Sequence, residues 1–305
     1  MGTVRLHLDP WGLAWRGLCQ RLAPPRCGLP DCTHAGNLWR LLRGTPPRIL
    51  IQGARYCVDG CLERVLTDLL GRLQRTPKRK VGPRRIPLGL LLLSRQQLTA
   101  EQLQAALGAQ RAAGCGRIGE WLQALGFVNE QQVTTALARQ WSCPVLRSES
   151  LMQPAFDRMP QIPVALLESH LMIPIAYVEA TNTLHIAFAE GIDYSVLYAM
   201  EQMLGCRTEP CLAAPTLLRR RLRALSEQRG ESEILFDRVA DAAEFARIVQ
   251  SYSVRVAAGE MRIAACGGYA WVRLLRPFGR PLDLLFCTPR ESATPSLPAA
   301  TVAAS

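Results

Sequence analysis

The sequence lacks any long uninterrupted hydrophobic run. Its longest apolar stretches, residues 88–93 and 171–178, fall far below the roughly 18 residues that a membrane-spanning helix requires. Near the N-terminus, Asp9 and Arg16 interrupt the segment in which a secretion signal would need its apolar core, and no small-residue cleavage site follows. The sequence therefore predicts no membrane span and a cytoplasmic protein.

The recognisable catalytic motifs are also missing. No G-x-x-x-x-G-K-[ST] phosphate loop occurs, and neither of the two lysines, Lys78 and Lys80, follows a glycine-rich loop. The histidines form no H-E-x-x-H pattern, and no serine or cysteine stands at a recognisable nucleophile elbow. The histidines are His7, His34, His170 and His185. The sequence therefore predicts a protein that is not an enzyme.

Basic charge is confined to one part of the chain. The net charge is +11, and residues 1–86 hold 16 basic and 5 acidic side chains, so that the remainder is neutral. Residues 75–85 carry six positive charges among proline and glycine, which indicates an extended, solvated linker able to contact phosphates or an acidic partner. Arginine supplies nearly all of the positive charge. This usage is more typical of the codon bias of a GC-rich genome than of selection for phosphate contacts. Nucleic-acid binding is therefore kept only as the alternative function.

The 11 cysteines raise the question of a metal site, because a reducing cytosol does not support a disulfide framework. Two close pairs, Cys27 with Cys32 and Cys57 with Cys61, each enclose turn residues. A strand signal precedes the second pair and a helical pattern follows it, an order that resembles treble-clef zinc modules. Four thiolates would hold a structural Zn²⁺, with Cys19 or His34 as substitute ligands. Metal-free cysteines are the alternative, and the other six cysteines are expected to pack in the core.

An internal repeat of 24 residues occupies the middle of the chain. Residues 87–110 and 117–140 align without gaps at an offset of 30 residues. Each copy predicts a short apolar helix, a turn and an amphipathic helix, with capping-box pairs Thr99/Gln102 and Asn129/Gln132 before the second helix. A structural duplication accounts for the shared apolar positions. We do not expect it to require the shared glycine at the third position or the shared glutamine at the last.

At these residues the chain resembles the MshEN family, the N-terminal domain of type II secretion (GspE) and type IV pilus assembly ATPases, whose mark is a tandem RLGxxLLxxGLxxxxLxxxLxxQ motif. Residues 162–175, 183–190 and 204–213 resemble the downstream α/β part of that domain. The resemblance covers about residues 87–223 and implies a regulatory or adaptor role without the ATPase motor.

Some members of that family bind cyclic di-GMP through the two motifs. The resemblance carries the ligand contacts over to matching positions in both copies: Arg117, Ile118, Gly119, Leu122, Gly126, Leu137 and Gln140 in the second, and Leu88, Gly89, Leu92, Leu107 and Gln110 in the first. The first copy departs from the pattern, because Pro87 replaces the leading arginine and Gln96–Gln97 replace the glycine–aliphatic pair. Arg84 or Arg85 could reach in from the linker. A copy that serves only as scaffold or partner-binding surface is the alternative.

The C-terminal third predicts a helix followed by a β-meander. A polar stretch at 226–233 indicates a linker, a helix is expected over about 237–251, and strands over 261–266, 269–275 and 282–286. One helix on three strands is marginal alone, so we expect it to dock on the α/β part or on a partner.

The predicted fold class is α+β and multidomain, and the predicted partners are cyclic di-GMP and a secretion or pilus assembly protein. The predicted divisions are a zinc-knuckle domain at 1–74, a basic linker at 75–86, a helical tandem-motif subdomain at 87–145, an α/β subdomain at 146–225, a helix with three strands at 232–288, and a disordered tail at 289–305.

Overall fold

The computed structural model describes residues 27–32, 48–58, 60–75, 85–146, 161–227 and 232–287. These residues form a mixed α+β structure, as predicted. The expectations for the first 26 residues, for most of the basic linker, for Cys19 and His34 and for the C-terminal tail lie outside the described residues. Within the described ranges, no helix combines the length and the apolar character that a membrane crossing requires.

Four helices form the tandem-motif unit. Each copy contributes a short helix followed by a longer one. The helices are α2 (Leu88–Ser94), α3 (Ala100–Ala113), α4 (Ile118–Ala124) and α5 (Glu130–Trp141). The predicted capping boxes before the longer helices, Thr99/Gln102 and Asn129/Gln132, are both confirmed, because in each the N-cap oxygen and the N3 glutamine bind one another's backbone N–H groups.

A small α/β subdomain follows the repeat. It consists of α6 (Val164–Ser169), β3 (Met172–Val178), β4 (Thr183–Phe188), α7 (Tyr194–Leu204), β5 (Arg207–Leu212) and α8 (Pro215–Glu227). The three strands form one sheet in the order β3-β4-β5, antiparallel in the first pair and parallel in the second. Residues 144–146 extend the sheet, since Leu146 N donates to Leu212 O at 2.7 Å and Val145 bridges Leu212.

The remaining elements share a six-stranded sheet drawn from both ends of the described chain. They are β1 (Arg48–Ile51), β2 (Ala54–Cys57), α1 (Cys61–Arg75), β6 (Glu233–Phe236), α9 (Ala242–Arg255), β7 (Glu260–Cys266), β8 (Tyr269–Leu275) and β9 (Leu282–Cys287). The strand order is β2-β1-β7-β8-β9-β6. Helices α1 and α9 cover one face, where Leu62, Leu66 and Phe245 enter the core.

The expected three-stranded C-terminal unit is corrected in two respects. The three predicted strands exist, but the sequence missed β6, which begins at the last residue of the stretch interpreted as a linker and pairs in parallel with β9. On the other edge, β1 pairs in parallel with β7. The physical reason is that three strands leave two open edges and bury too little surface, so further strands complete the sheet. The division boundaries themselves stay predictions.

The second face of this sheet packs against the α/β subdomain. Trp271, Cys266 and Leu285 belong to the same buried cluster as Met200 of α7, and Arg262 Nη1 donates to Met203 O at 3.1 Å. The sheet therefore docks on the α/β subdomain, one of the two expected arrangements.

Candidate functional site

The last glutamine of each motif copy donates a hydrogen bond to the residue that precedes the other copy. Gln110 Nε2 donates to Gly116 O at 2.9 Å, and Gln140 Nε2 donates to Ile86 O at 2.6 Å. The two glutamines lie 30 residues apart in the sequence, and so do Ile86 and Gly116, whose carbonyls accept the bonds. Each glutamine therefore binds the residue just before the other copy, a position that we call the entry of that copy. The shared glutamine therefore has a structural role.

The shared glycines also have a structural role. A Cβ atom on Gly89 would lie 2.7 Å from Leu103 Cδ1, and one on Gly119 would lie 3.2 Å from Val133 Cγ1. Leu103 and Val133 are themselves equivalent positions of the repeat. The expectation that a structural duplication would not require these glycines and glutamines was wrong, because close helix packing and closure of the repeat use both.

The remaining positions carried over from the family divide by exposure. Leu88, Leu92 and Leu122 are buried in the core of the four-helix unit. The partly exposed or exposed positions are Leu107, Ile118, Gly126, Leu137, Gln140, Gln110 and Arg117. Leu137 also packs against that core.

Arg117 is the charged side chain at the entry of the second copy. Its Nη1 lies 2.6 Å from Glu190 Oε2, and Arg219 Nη2 lies 3.7 Å from the other oxygen of the same carboxylate. Glu190 stands in the loop after β4, and Arg219 belongs to α8. The Arg117 side chain remains 64% exposed, so this ion pair is open to competition from a dissolved anion. No sequence signal pointed to Glu190 or Arg219, because both contacts are long-range.

A second arginine lies at the entry of the first copy. Arg85 Cζ lies 3.2 Å from the centroid of the Trp141 ring. A Cβ atom on Gly191 would lie 2.9 Å from Trp141 Cζ2, so the ring rests on the loop that carries Glu190. Tyr194 completes this contact, with its ring centroid 6.1 Å from that of Trp141. Arg117 therefore contacts the loop at residues 190–194 directly, and Arg85 is linked to that loop through Trp141.

A cleft of about 460 Å³ opens beside Trp141. Residues 141–146 line one side, and Ile175, His185 and Glu209 of the three-stranded sheet lie on the other. His185 Nδ1 lies 3.6 Å from Glu209 Oε2.

Four cysteines meet at the edge of the six-stranded sheet. The sulfur atoms of Cys27, Cys32, Cys57 and Cys61 all lie within 4.8 Å of one another. Cys57 ends β2 and Cys61 begins α1, so the turn between them presents two thiols. The Cys27–Cys32 turn is tied to the hairpin because Gly28 N donates to Arg55 O at 2.8 Å.

The geometry fits a metal. Cys32 Sγ lies 3.9 Å from Cys57 Sγ and 3.5 Å from Cys61 Sγ, close to the roughly 3.8 Å between sulfurs of a tetrahedral site with Zn–S bonds of about 2.3 Å. The sequence-predicted ligands are thus brought together.

In the absence of a cation, the pKa values of Cys27, Cys57 and Cys61 shift in different directions. Burial, followed by hydrogen bonding to Cys32, raises the pKa of Cys57 to about 11 and that of Cys61 to about 12. Burial also raises the pKa of Cys27, but hydrogen bonds from the backbone at Leu29 and Cys57 and from neighbouring thiols outweigh it and hold the pKa below its ordinary value. Cys27 therefore ionises more easily than an ordinary thiol, whereas Cys57 and Cys61 need a nearby cation to ionise at neutral pH.

The six other cysteines are predicted to lie in the core. Cys206, Cys211 and Cys266 are buried, which confirms the expectation for these three. Cys115, Cys143 and Cys287 are only partly buried.

The fold and the sites define an α+β protein in which a tandem helical repeat faces a small α/β subdomain across a basic junction. Residues 141–232 match the family model of the MshEN domain. This match confirms the resemblance to the MshEN family that the sequence predicted. The matched range covers the α/β subdomain, and the two motif copies precede it.

Three solved structures are similar to less than half of this chain. A structure of MshE with cdg is 28% identical, with 46% of this chain and 99% of that chain covered and a TM-score of 0.39. A structure of the N-terminal domain of XpsE is 18% identical, with 45% and 91% covered and a TM-score of 0.35. A second crystal form of the same XpsE domain is also 18% identical, with 43% and 89% covered and a TM-score of 0.30. No curated protein matches the chain.

Proposed function

We propose that this chain is a non-enzymatic regulatory or adaptor protein whose tandem-motif unit binds cyclic di-GMP at the junction with the α/β subdomain. The observation that carries the proposal is the exposed guanidinium of Arg117, at the leading position of the second motif, paired with a partly exposed carboxylate. Arginine stacks on purines and donates forked hydrogen bonds to phosphate oxygens, which suits a cyclic dinucleotide.

The ion pair between Arg117 and Glu190 does not oppose binding strongly. Exposed ion pairs contribute about 0–1 kcal/mol, so a ligand phosphate can replace the Glu190 carboxylate at small cost. Arg219 approaches the same carboxylate and adds positive charge next to the incoming phosphate. Pro87 supplies no corresponding side chain at the leading position of the first copy.

Calorimetric titration of the full chain with cyclic di-GMP tests this function. Arg117→Ala is expected to reduce the affinity about ten- to a hundredfold, because it removes a charge-assisted contact. Arg95→Ala, in the first copy but outside the carried-over positions, serves as the matched control and should bind as the unmodified chain does. An affinity that Arg117→Ala leaves unchanged would contradict the assignment of the site.

We propose that the chain acts by docking on a partner protein. The resemblance to secretion and pilus ATPase domains favours an assembly protein of such a system as the partner. Co-purification of that partner with the full chain, with and without cyclic di-GMP, tests whether the ligand controls docking. Turnover of ATP that followed the chain through successive columns would contradict the non-enzymatic role.

We also propose that Cys27, Cys32, Cys57 and Cys61 hold one structural Zn²⁺. The four converging sulfurs support this proposal, and the metal would supply the positive charge that lets the buried thiols ionise. Elemental analysis of protein purified without chelator should give about one zinc per chain. Cys32→Ser should lower that content, whereas Cys287→Ser, at the end of β9, should leave it unchanged. A folded, metal-free protein would contradict the proposal.

A further inference from the structure

Arg85 is held in a defined position immediately before the first motif copy. Its side chain stacks on Trp141, with 3.2 Å between Cζ and the ring centroid. The adjacent backbone is also fixed, because Gln140, the neighbour of Trp141, donates from Nε2 to the carbonyl of Ile86 at 2.6 Å. The end of α5 therefore fixes both the backbone and the side chain of this part of the chain.

Trp141 links Arg85 to the loop that Arg117 reaches. Trp141 packs on Gly191, and the preceding residue, Glu190, binds Arg117. The two glutamine contacts place Ile86 and Gly116 at equivalent entries of the repeat. Each entry thus has one guanidinium beside it: Arg117 binds Glu190 directly, and Arg85 is linked to the same loop through Trp141.

We infer that Arg85 takes the place of the arginine that Pro87 displaces and contacts the bound cyclic di-GMP from the side of the first copy. Trp141 is the positioning residue. A guanidinium held over the face of an aromatic ring keeps N–H donors available at its edge. That edge can donate two parallel hydrogen bonds to acceptor oxygens of the ligand.

This inference rests on the proposed function, and it predicts a second charge-assisted contact. Arg85→Ala should reduce the affinity for cyclic di-GMP roughly ten- to a hundredfold, while Arg95→Ala should not change it. Arg85→Lys keeps the charge but loses the planar fork, so we expect it to recover only a small part of the lost affinity.

A double-mutant cycle separates positioning from folding. Trp141→Leu should weaken binding, and the variant that combines it with Arg85→Ala should bind no more weakly than Arg85→Ala alone, because both changes remove one contact. Thermal unfolding of each variant, followed by circular dichroism, serves as the folding control. Additive losses would show that Trp141 acts independently of Arg85 and would overturn the positioning role.

The calorimetric outcomes distinguish this inference from the proposed function. If the unmodified chain binds cyclic di-GMP and Arg85→Ala binds equally well, the inference is wrong and the proposed function stands. If the unmodified chain does not bind at all, both are overturned.

Discussion

At the residue scale, the first motif copy has the same backbone conformation as the second at the position where Gln96 replaces the motif glycine. Gln96 has a φ of 56°, and its equivalent in the second copy, Gly126, has a φ of 71°. The surrounding hydrogen bonds also match, since Gln97 N and Phe127 N each donate at 3.0 Å to a leucine carbonyl five residues earlier. Gln96 therefore places a side chain in the left-handed region, and the turn has the same hydrogen bonds as its glycine-containing equivalent.

Gln96→Gly should raise the free energy of unfolding by about 1 kcal/mol. A non-glycine residue in the left-handed region carries a strain of about 1–2 kcal/mol, from which the greater chain entropy of unfolded glycine subtracts some of the gain. Chemical denaturation with urea measures the difference. Gln97→Gly, at a neighbouring position with negative φ, is the control and should give no increase. A loss of stability in Gln96→Gly would contradict the strain argument.

At the scale of elements, the turn between β7 and β8 lies directly on the end of α6. A Cβ atom on Gly267 would lie 1.7 Å from Nε2 of His170, the residue that follows α6. Gly267 also has a φ of 54°. Glycine is therefore required at position 267 for two reasons. The backbone adopts a left-handed conformation, and the six-stranded sheet approaches the α/β subdomain too closely for a side chain.

Gly267→Ala should lower the free energy of unfolding by about 3 kcal/mol. Left-handed strain contributes about 1–2 kcal/mol and overpacking against the imidazole contributes the rest. Gly279→Ala is a matched control, because Gly279 also has positive φ, but a Cβ atom added there would meet no atom within 4 Å. It should cost only about 1 kcal/mol in the same urea titration, from the strain alone. Equal losses in both variants would show that His170 moves aside freely.

The same sheet contains a buried ion pair between neighbouring strands. Arg273 Nε and Nη2 each lie 2.8 Å from an oxygen of Asp283, and Trp271 Nε1 donates to Asp283 Oδ1 at 2.7 Å. Arg273 also donates to the carbonyl of Gln161, which precedes α6. The pair thus ties the six-stranded sheet to the start of the α/β subdomain.

Asp283→Asn should destabilise the protein by about 3–5 kcal/mol, because it leaves the buried Arg273 without a counter-charge while preserving shape and an acceptor for Trp271. Combining it with Arg273→Leu removes the unpaired charge and should recover part of the loss. Urea titrations of the two single variants and the double variant measure the coupling. A double variant whose loss equals the sum of the single losses would contradict the pairing argument.

At the scale of the whole molecule, local patterns were easier to predict from sequence than long-range pairings. The capping boxes follow from residues three positions apart, such as Thr99 and Gln102, and the cysteine cluster follows from two short spacings. The pairing of β1 with β7 joins Leu50 to Glu260, and no local pattern specifies a partner so distant. For the same reason the sequence indicated Arg117 but neither Glu190 nor Arg219.

Removal of the proposed Zn²⁺ should unfold more than the cysteine turns. Cys61 begins α1, whose Leu62 and Leu66 fill the core under the six-stranded sheet. Gln250 Nε2 of α9 also donates to Val58 O, between the two ligands of the second pair, at 2.7 Å. Because metal binding and folding of such a site are linked, chelation should loosen α1 and with it the sheet edge formed by β1 and β2.

Hydrogen exchange read by mass spectrometry, before and after chelation, measures this coupling. We expect protection to fall across residues 48–75 and 242–266 and to remain across 85–146, whose core is separate. Cys32→Ser should reproduce the pattern without chelator, and Cys287→Ser should not. A loss of protection confined to residues 27–32 and 57–61 would contradict the prediction, because the sheet would then be stable without the proposed metal site at its edge.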